Sequence, residues 1–382
     1  MWAPMMLSSL AAAQGRAFVG VLRAVHGTAA QLAAPDKQLA ADRRELLAFF
    51  PTLVEDVKAD SLAVGIPSET EWIGKVLHYV VPRGRLFRGC SALNACRELL
   101  PPDRAALGRP LGLAFEMLQG YVVIIDDLVD AAELRRGLPA WHTLPGVGVH
   151  AVNDAFLVHT AMNKVLHRYF HTEPSYVRLF ELFNEAIFYG IIAQNYECHN
   201  GCTGEGRFDA FDHAMHAAQA RFKIAHYSFY SPLAAAMHLA GLSDSGRHGA
   251  LWGVAQDIGM LFTVQDDYSD CYEPESLSGK TRCDIRNGKC TWLVVEAKRR
   301  ANDKQRALLK ENYGVDDAEK VAAVMELYAE LGMEQAIQDW MRSEYSRISE
   351  VIRRQRDLPP DALHYILDAI RQPLLRVEEP LP

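Results

Sequence analysis

Two segments of the chain repeat one spacing of carboxylates, in which two adjacent aspartates are followed three residues later by another. The six residues are Asp126, Asp127 and Asp130 in the first segment, and Asp266, Asp267 and Asp270 in the second. On a helix the first and last members of each set lie on one face, with Cβ atoms about 5–6 Å apart. Carboxylates that close repel one another unless a cation lies between them. The pattern therefore predicts two cation sites, which we call the first and second aspartate trios.

Mg²⁺ is the cation that best matches these trios. It prefers oxygen ligands, keeps several waters, and is often shared between carboxylates and substrate phosphates. Two trios that face each other could therefore hold one diphosphate through bridging ions. The alternative is that they are solvated helix ends or caps of the following turns. Two copies with the same spacing, each after an apolar stretch, favour the metal sites.

Basic residues suited to phosphate binding accompany the trios. They are Arg85, Arg88, Arg135, Arg136, Lys223, Lys280 and Lys289. A single Lys or Arg most often only solvates the surface. A set of them matched to two metal sites is better explained by phosphate binding, because charged donors make strong hydrogen bonds to phosphate oxygens.

The segment before the first trio is strongly apolar. Its apolar residues are Met117, Leu118, Tyr121, Val122, Ile124 and Ile125. For any one of them, a place in the core is the better interpretation. The face that they share with Asp126 and Asp130 could nevertheless form the wall of a deep pocket. A ligand with a diphosphate head and a hydrocarbon tail would suit both regions, and this predicts an isoprenoid diphosphate as substrate.

The elements that carry these residues are predicted to be helices. Apolar residues recur at helical intervals between Asp42 and Val57, and long apolar stretches precede both trios, while strand-type alternation is scarce. We therefore expect a single all-α domain over residues 36–382, a helical bundle around a central cavity.

Composition excludes several other classes of protein. The chain has 382 residues, with 40 Lys and Arg against 48 Asp and Glu, and a net charge of −8. This balance disfavours a nucleic-acid-binding protein. The sequence contains no run of 18 apolar residues, so we expect no transmembrane segment.

The first 35 residues differ from the rest of the chain. They are rich in Ala, Leu, Ser and Gly, contain Arg16 and Arg23, and have no acidic residue. This composition fits a mitochondrial leader, with a disordered tail as the alternative. The predicted location is therefore mitochondrial or cytoplasmic.

From about Asp42 to about Ile370 the sequence resembles the animal-type farnesyl diphosphate synthases. The matching segments are residues 115–119 (FEMLQ), 126–137, 145–148 (PGVG), 227–230 (YSFY), 265–270 and 289–295 (KCTWLVV). The resemblance implies the all-helical isoprenoid synthase fold, usually a homodimer that uses three Mg²⁺ ions.

The resemblance also implies roles for individual residues. Asp126, Asp130 and Asp266 match direct metal ligands, and Asp127, Asp267 and Asp270 complete the clusters, partly through water. Arg135, Lys223 and Lys280 match positions that hold the allylic diphosphate. Arg85, Arg88, Gln119 and Arg136 match the site for isopentenyl diphosphate, and Lys289 matches a further lysine on the phosphate side.

The sequence departs from the family pattern mainly around the second substrate and the pocket wall. The departures are Arg85 for Lys, Phe87 for Asn, Val122 for Phe, Ile224 for Thr and Thr263 for Gln, together with a C-terminus that lacks the usual basic cluster. Charge-assisted hydrogen bonds to a diphosphate contribute about 1.5–3 kcal/mol each, so the loss of a few could abolish useful binding. The unaltered trios should still support ionisation of an allylic diphosphate.

Three hypotheses follow. The first, slightly preferred on the departures, is a terpene synthase that is derived from this family and converts farnesyl diphosphate or a related prenyl diphosphate to a terpene. The second is a short-chain prenyltransferase that condenses isopentenyl diphosphate with an allylic diphosphate, and the retention of Arg88, Gln119 and Arg136 supports it. The third, a non-catalytic scaffold of the same fold, is disfavoured by the six intact aspartates.

Overall fold

In the computed structural model, residues 29–200, 208–273 and 283–371 are described, and they are overwhelmingly helical. Up to the first trio the helices are α1 (Ala29–Leu62), α2 (Pro67–Val80), α3 (Phe87–Leu99) and α4 (Gly108–Val129). Those that follow are α5 (Ala151–Phe170), α6 (Tyr176–Asn200), α7 (His213–Gln219), a π-helix (Ala220–Tyr230), α8 (Ser231–Leu239), α9 (Ser245–Tyr272), α10 (Cys283–Arg286), α11 (Trp292–Arg300), α12 (Asp303–Asn312), α13 (Ala318–Glu330), α14 (Met333–Arg354) and α15 (Pro360–Arg371). The prediction of an all-α fold is confirmed.

The first helix starts earlier than its apolar periodicity suggests. α1 begins at Ala29, whereas the periodic residues start near Asp42. The predicted leader, residues 1–35, therefore lies mostly outside the described residues, and its last residues belong to α1. Among the described helices, none is sufficiently long and apolar to span a bilayer.

The chain divides into two compact units. One comprises the described residues within 37–188, 226–255 and 352–371, and we call it the Asp126 unit. The other comprises the described residues within 29–36, 189–225 and 256–351, and we call it the Asp266 unit. Each trio thus belongs to its own unit. Whether the two units form one domain stays a prediction.

In the Asp126 unit, α4 is the central helix and packs against α3 and α5. Two glycines make the contact between α3 and α4 unusually close. A Cβ atom on Gly112 would lie 2.6 Å from the Gly89 carbonyl oxygen, and one on Gly89 would lie 2.9 Å from the Gly112 carbonyl oxygen. The two backbones therefore touch directly, which fixes the start of α3 against the helix that carries the first trio.

A small hairpin follows the first trio. Strand β1 (Leu134–Arg135) pairs antiparallel with β2 (Leu138–Pro139), and Arg136 and Gly137 form the two-residue turn. Both turn residues have positive φ, 55° and 76°, as a type I′ turn requires. The hairpin was not expected from the sequence, and it returns Arg135 to the end of α4.

In the Asp266 unit, the core forms where α9, α11, α13 and α14 meet. Val264, Leu293, Val294, Tyr328 and Ile337 are completely buried there. This core anchors the end of α9, which carries the second trio, and the start of α11, which lies within the family segment 289–295.

Candidate active site

The first trio lies at the C-terminal end of α4. Asp126 is half-buried, Asp127 is 2% exposed, and Asp130 is exposed and caps the helix. Ala131 has a φ of 50°, which allows the Ala132 amide to donate to the Asp127 carbonyl oxygen at 2.9 Å and ends the helix there. The negative end of the helix dipole and three carboxylates thus coincide, an arrangement that strongly favours a bound cation.

Arg135 is the nearest cation that the protein itself supplies to this trio. Its Nε donates to Asp127 Oδ1 at 2.7 Å, and its Nη2 donates to Asp126 Oδ2 at 3.0 Å. Burial raises the pKa of Asp127, and the Arg135 guanidinium partly offsets that effect. For Arg135, burial disfavours the charged form, but the two carboxylates outweigh it and hold its pKa above the ordinary value.

The second trio lies near the C-terminal end of α9. Asp266 is exposed, whereas Asp267 and Asp270 are 7% and 1% exposed. Asp267 Oδ2 lies 3.0 Å from His216 Nε2 and accepts the Trp292 amide at 2.7 Å, at the start of α11. Asp267 therefore fixes the first turn of α11.

Asp270 performs a similar task for α10. Its Oδ1 accepts the Cys283 amide at 3.2 Å, and its Oδ2 accepts the Asp284 amide at 3.1 Å. Both carboxylate oxygens thus already bind backbone donors. Lys289, which was predicted on the phosphate side, lies beside this turn with its Nζ 3.8 Å from Asp284 Oδ1.

The trios therefore share one division of environment. Asp130 and Asp266 are exposed and Asp126 is half-buried, whereas Asp127, Asp267 and Asp270 are buried and hydrogen-bonded by the protein. The accessible donors are oxygen atoms only, which suits a hard cation such as Mg²⁺. If a metal binds, these three residues are the ones placed to ligate it, and the inner three would position them.

The loop before α3 places two of the predicted phosphate-binding arginines. Leu86 precedes the helix with a φ of 54°, a strained conformation for leucine, although its side chain is buried. Arg88 is only 7% exposed; its Nε donates to Ser228 Oγ at 3.0 Å, and its Nη2 donates to Tyr227 Oη at 2.9 Å. Arg85 is half-buried, and Phe87 is 7% exposed between the two arginines in sequence.

A buried glutamate supports this loop. Glu116 Oε1 accepts the Gly89 amide at 2.8 Å. Burial raises the pKa of Glu116, and the charges of Arg88 and Arg136 oppose that rise. The carboxylate therefore provides a counter-charge beneath two arginines that were predicted to bind the second diphosphate. Glu116 lies in the family segment 115–119 but was not singled out from the sequence.

Arg136 and Gln119 are the other two residues that were predicted to bind isopentenyl diphosphate. The Arg136 guanidinium lies against Gly84, where an added Cβ would be 2.9 Å from Cζ, and its Nη1 is 3.4 Å from the Val80 carbonyl oxygen. Desolvation lowers the pKa of Arg136 to about 10, which still leaves it charged at neutral pH. Gln119 Oε1 is buried without a hydrogen-bond partner. An unsatisfied buried acceptor indicates a place where a ligand or water binds.

A small cleft of the Asp126 unit opens behind the hairpin. Asp127, Arg135 and Arg136 line it together with the aromatic rings of Tyr79 and Trp141. The Tyr79 hydroxyl donates to the Pro139 carbonyl oxygen at 2.7 Å, which ties α2 to the hairpin. The first trio is therefore bounded by cationic and aromatic groups on the side of Asp127.

Lys223 pairs with a residue that the sequence analysis missed. It lies in the π-helix, and its Nζ forms a short ion pair with Glu197 Oε2 of α6. π-Helical turns are frequent at functional sites. Glu197 lies 26 residues before Lys223, and no local motif marks it; a lone acid near the end of an apolar helix was the one available signal.

The four predicted pocket residues are partly or wholly buried. Tyr121 is 6% exposed, and its ring lies 5.4 Å from that of His159 and 6.4 Å from that of Phe156. Val122, Ile224 and Thr263 are half-buried, and Thr263 Oγ1 donates to the Gly259 carbonyl oxygen at 2.9 Å. Lys280 and the C-terminal residues after 371 lie outside the described residues.

Comparison with known proteins identifies the family. The polyprenyl synthetase model matches residues 70–331. The chain is 35% identical over 329 residues to the farnesyl pyrophosphate synthase of Gallus gallus, which covers 84% of this chain and 89% of that protein. It is 33% identical over 328 residues to the farnesyl pyrophosphate synthase of Rattus norvegicus, covering 84% and 92%.

The fold is shared with solved structures as well. A farnesyl diphosphate synthase of T. brucei complexed with risedronate superimposes with a TM-score of 0.77 at 23% identity, covering 87% of this chain and all of that one. The shared architecture is the all-helical isoprenoid synthase fold. The relatives' names support the prenyltransferase hypothesis and give no support to the preferred terpene synthase hypothesis. From the sequence segments, the helical fold and these matches together, we conclude that the chain belongs to the polyprenyl synthetase family and is an enzyme that processes isoprenoid diphosphates.

Proposed function

We propose that the chain is a Mg²⁺-dependent prenyltransferase that condenses isopentenyl diphosphate with a short allylic diphosphate. The observation that carries the proposal is that Arg88 and Arg136 both act electrostatically on the buried Glu116, because two such guanidinium groups offer charged donors for a second diphosphate. A terpene synthase needs no second diphosphate, so a maintained site for one favours condensation. The curated relatives are farnesyl pyrophosphate synthases, which supports the same activity.

The trios and their neighbours would bind the allylic substrate. Asp126, Asp130 and Asp266 would ligate up to three Mg²⁺ ions, with Asp127 holding Arg135, and Asp267 and Asp270 holding the surrounding backbone. When bound, Mg²⁺ neutralises the charge that develops on a departing diphosphate. Arg135 already spans the first trio, and Lys223, Lys280 and Lys289 would add charged donors to the same leaving group.

The apolar wall would receive the hydrocarbon tail. Tyr121 and Val122 lie on α4 one turn before the first trio, so a tail that extends from the diphosphate along the helix would contact them. Val122 in place of a phenylalanine leaves more room in the pocket beside this wall. Exclusion of water by the apolar residues would protect the carbocation that forms when the allylic C–O bond breaks.

A terpene synthase remains the second candidate, favoured by one observation. Two nitrogen atoms of Arg88 already donate to Tyr227 and Ser228, which leaves it fewer donors for a second diphosphate. If isopentenyl diphosphate does not bind, the carbocation would react with a double bond of its own chain or lose a proton.

We also propose that the enzyme is a homodimer. Helices α5 and α6 expose Val152, Phe156, Val177 and Phe180, which are 39–63% accessible. Their spacing places them as stripes on the helix surfaces, and exposed apolar stripes of this kind usually mark an interface. A second copy of the same chain is the partner that the family fold suggests. The location, mitochondrial or cytoplasmic, likewise stays a proposal.

One assay separates the two activities. The purified chain with Mg²⁺ is given either geranyl diphosphate plus isopentenyl diphosphate or farnesyl diphosphate alone. The proposal predicts a longer prenyl diphosphate from the first mixture and no hydrocarbon from the second. Volatile terpene from farnesyl diphosphate alone, without elongation in the first mixture, would establish the second candidate instead.

A further inference from the structure

Phe87 lies close to two cationic side chains, and it also stands between them in sequence. The Arg88 Cζ atom lies 4.4 Å from the centre of the Phe87 ring, and the Arg85 Cζ atom lies 5.7 Å from it. Both distances fall within the range in which an aromatic face attracts a guanidinium group. One ring therefore interacts with two like charges that would otherwise repel each other.

Further aromatic residues hold this arrangement in place. Phe229 stacks on Phe87 with ring centres 5.7 Å apart and planes inclined by 29°. The Tyr227 ring also lies against Arg88, with its centre 4.5 Å from the Arg88 Cζ atom. The Tyr227 hydroxyl accepts a hydrogen bond from Arg88 Nη2. Phe87 and Arg88 are each only 7% exposed. Packing thus restricts the rotamers of both residues.

The two departures from the family loop therefore look connected. In the family pattern that the sequence resembles, these positions carry a lysine and an asparagine, whereas this chain has Arg85 and Phe87. A planar guanidinium stacks on aromatic rings more favourably than an ammonium does, and it presents a rigid fork of donors to phosphate. An arginine at position 85 gains most when position 87 carries an aromatic ring.

We propose that Phe87 is a positioning residue that holds Arg85 and Arg88 as a guanidinium pair for the diphosphate of the second substrate. The inference rests on the proposed condensation for the identity of that substrate. On this view the two departures compensate each other, and the loop has been rebuilt with other chemistry instead of having lost its function. Glu116, whose Oε1 accepts the Gly89 amide in the first turn of α3, supplies a counter-charge to Arg88 before the anion binds.

Binding of inorganic diphosphate in the presence of a chelator tests the pair, because without metal the aspartate trios repel the anion. We would measure it by calorimetry for the full-length chain and for Phe87→Leu, which keeps an apolar side chain but removes the aromatic face. We expect binding to weaken about three- to tenfold, and Phe87→Tyr to restore it to within about twofold. Phe49→Leu, which removes another ring beside an arginine, serves as the matched control.

A double-mutant cycle tests the connection between the two positions. Arg85→Lys should weaken binding in the wild-type background but have little further effect in Phe87→Leu. In the condensation assay the KM for isopentenyl diphosphate should rise more than kcat falls. Thermal unfolding of each variant shows whether it is folded, and Phe87→Tyr provides the comparison if Phe87→Leu is not.

Three results would overturn the inference: wild-type chain that does not bind diphosphate without metal, Phe87→Leu that binds as tightly as wild type, or losses from the two substitutions that simply multiply. The failure of the proposed function would look different. If the wild type makes no elongated product but its diphosphate binding still depends on Phe87 and Arg85 together, the pair stands and condensation is wrong.

Discussion

Each trio contains carboxylates that do different work. Asp266 is exposed, whereas Asp267 receives the Trp292 amide and His216 Nε2 on one oxygen. A buried acceptor that satisfies two donors cannot be removed without leaving them unpaired. The inner aspartates therefore contribute to the stability of the fold as well as to the site.

This difference predicts separate effects of two neighbouring substitutions. In metal-free buffer, Asp267→Asn should lower the free energy of unfolding by roughly 1–3 kcal/mol, because the charge that binds His216 and the start of α11 is lost. Asp266→Asn should leave it within about 0.5 kcal/mol. Chemical denaturation of both variants measures this, and equal losses would contradict the division into inner and outer residues.

Local spacing in the sequence was enough to find the trios, because the helical period places residues four apart on one face. Arg135, only eight residues after Asp127, lies beside the first trio for a similarly local reason, and its role in diphosphate binding stays a prediction. Glu197 could not be found in this way. Its ion pair with Lys223 depends on how α6 and the π-helix pack, and packing of distant segments leaves no mark in local spacing.

Among the elements, the crossing of α3 and α4 depends on the absence of side chains. A methyl group on Gly112 would come within 2.6 Å of the Gly89 carbonyl oxygen, and backbone atoms there cannot move aside cheaply. The start of α3 carries Phe87 and Arg88, so a shift of this crossing would also displace them.

We therefore expect Gly112→Ala to destabilise the protein by about 1–3 kcal/mol, as overpacking usually does. The matched control is Gly253→Ala in α9, which is exposed and has open space where a Cβ would stand. That substitution should be neutral or stabilise by up to about 1 kcal/mol, because alanine is the better helix former. Thermal unfolding of both variants measures the contrast, and a stable Gly112→Ala protein would show that the crossing can relax.

A buried histidine of the π-helix should make the stability of the protein depend on pH. His226 lies in the π-helix, is 5% exposed, and packs against Tyr230 and Trp252. Desolvation lowers its pKa to about 4. The unfolded chain would take up the proton near pH 6.5, well before the folded protein does, so stability is lost as the pH falls from about 6.5 to 4.

The loss from this one group should reach at most about 3 kcal/mol at the low end of that window. His226→Phe removes the titrating group and keeps an aromatic ring, so its stability should fall less steeply between pH 6.5 and 4. Urea unfolding at several pH values gives the comparison. If the free energy of unfolding changes with pH equally in the two proteins, the pKa of His226 is not lowered in the folded state.

Hydrophobic periodicity predicted the helices well, because their buried faces recur every three to four residues. It missed the two-residue strands of the hairpin. These strands arise from the turn geometry at Arg136 and Gly137, and no pattern of side chains marks them. It also missed the π-helix around Lys223, whose wider turns leave no distinct apolar period. Both missed elements carry residues of the candidate site.

At the scale of the molecule, the exposed apolar stripes of α5 and α6 predict association. Phe156 is 54% exposed on α5, and a charge at this position would oppose burial against a second copy. Phe156→Glu should shift the particle mass in light scattering from dimer toward monomer. Leu308→Glu, an exposed apolar position on α12, should leave the mass unchanged. A monomeric wild-type protein would contradict the proposed homodimer.

The central claim is that metal-bound carboxylates from both trios are needed to break the allylic C–O bond. The most direct measurement is release of diphosphate from an allylic prenyl diphosphate by the wild type, Asp126→Asn, Asp266→Asn and the control Glu133→Gln, each with Mg²⁺ and with a chelator. We expect turnover that requires Mg²⁺, falls at least about a hundredfold in either aspartate variant, and is retained in Glu133→Gln. Near-normal turnover in either aspartate variant, or equal turnover in the chelator, would contradict the account.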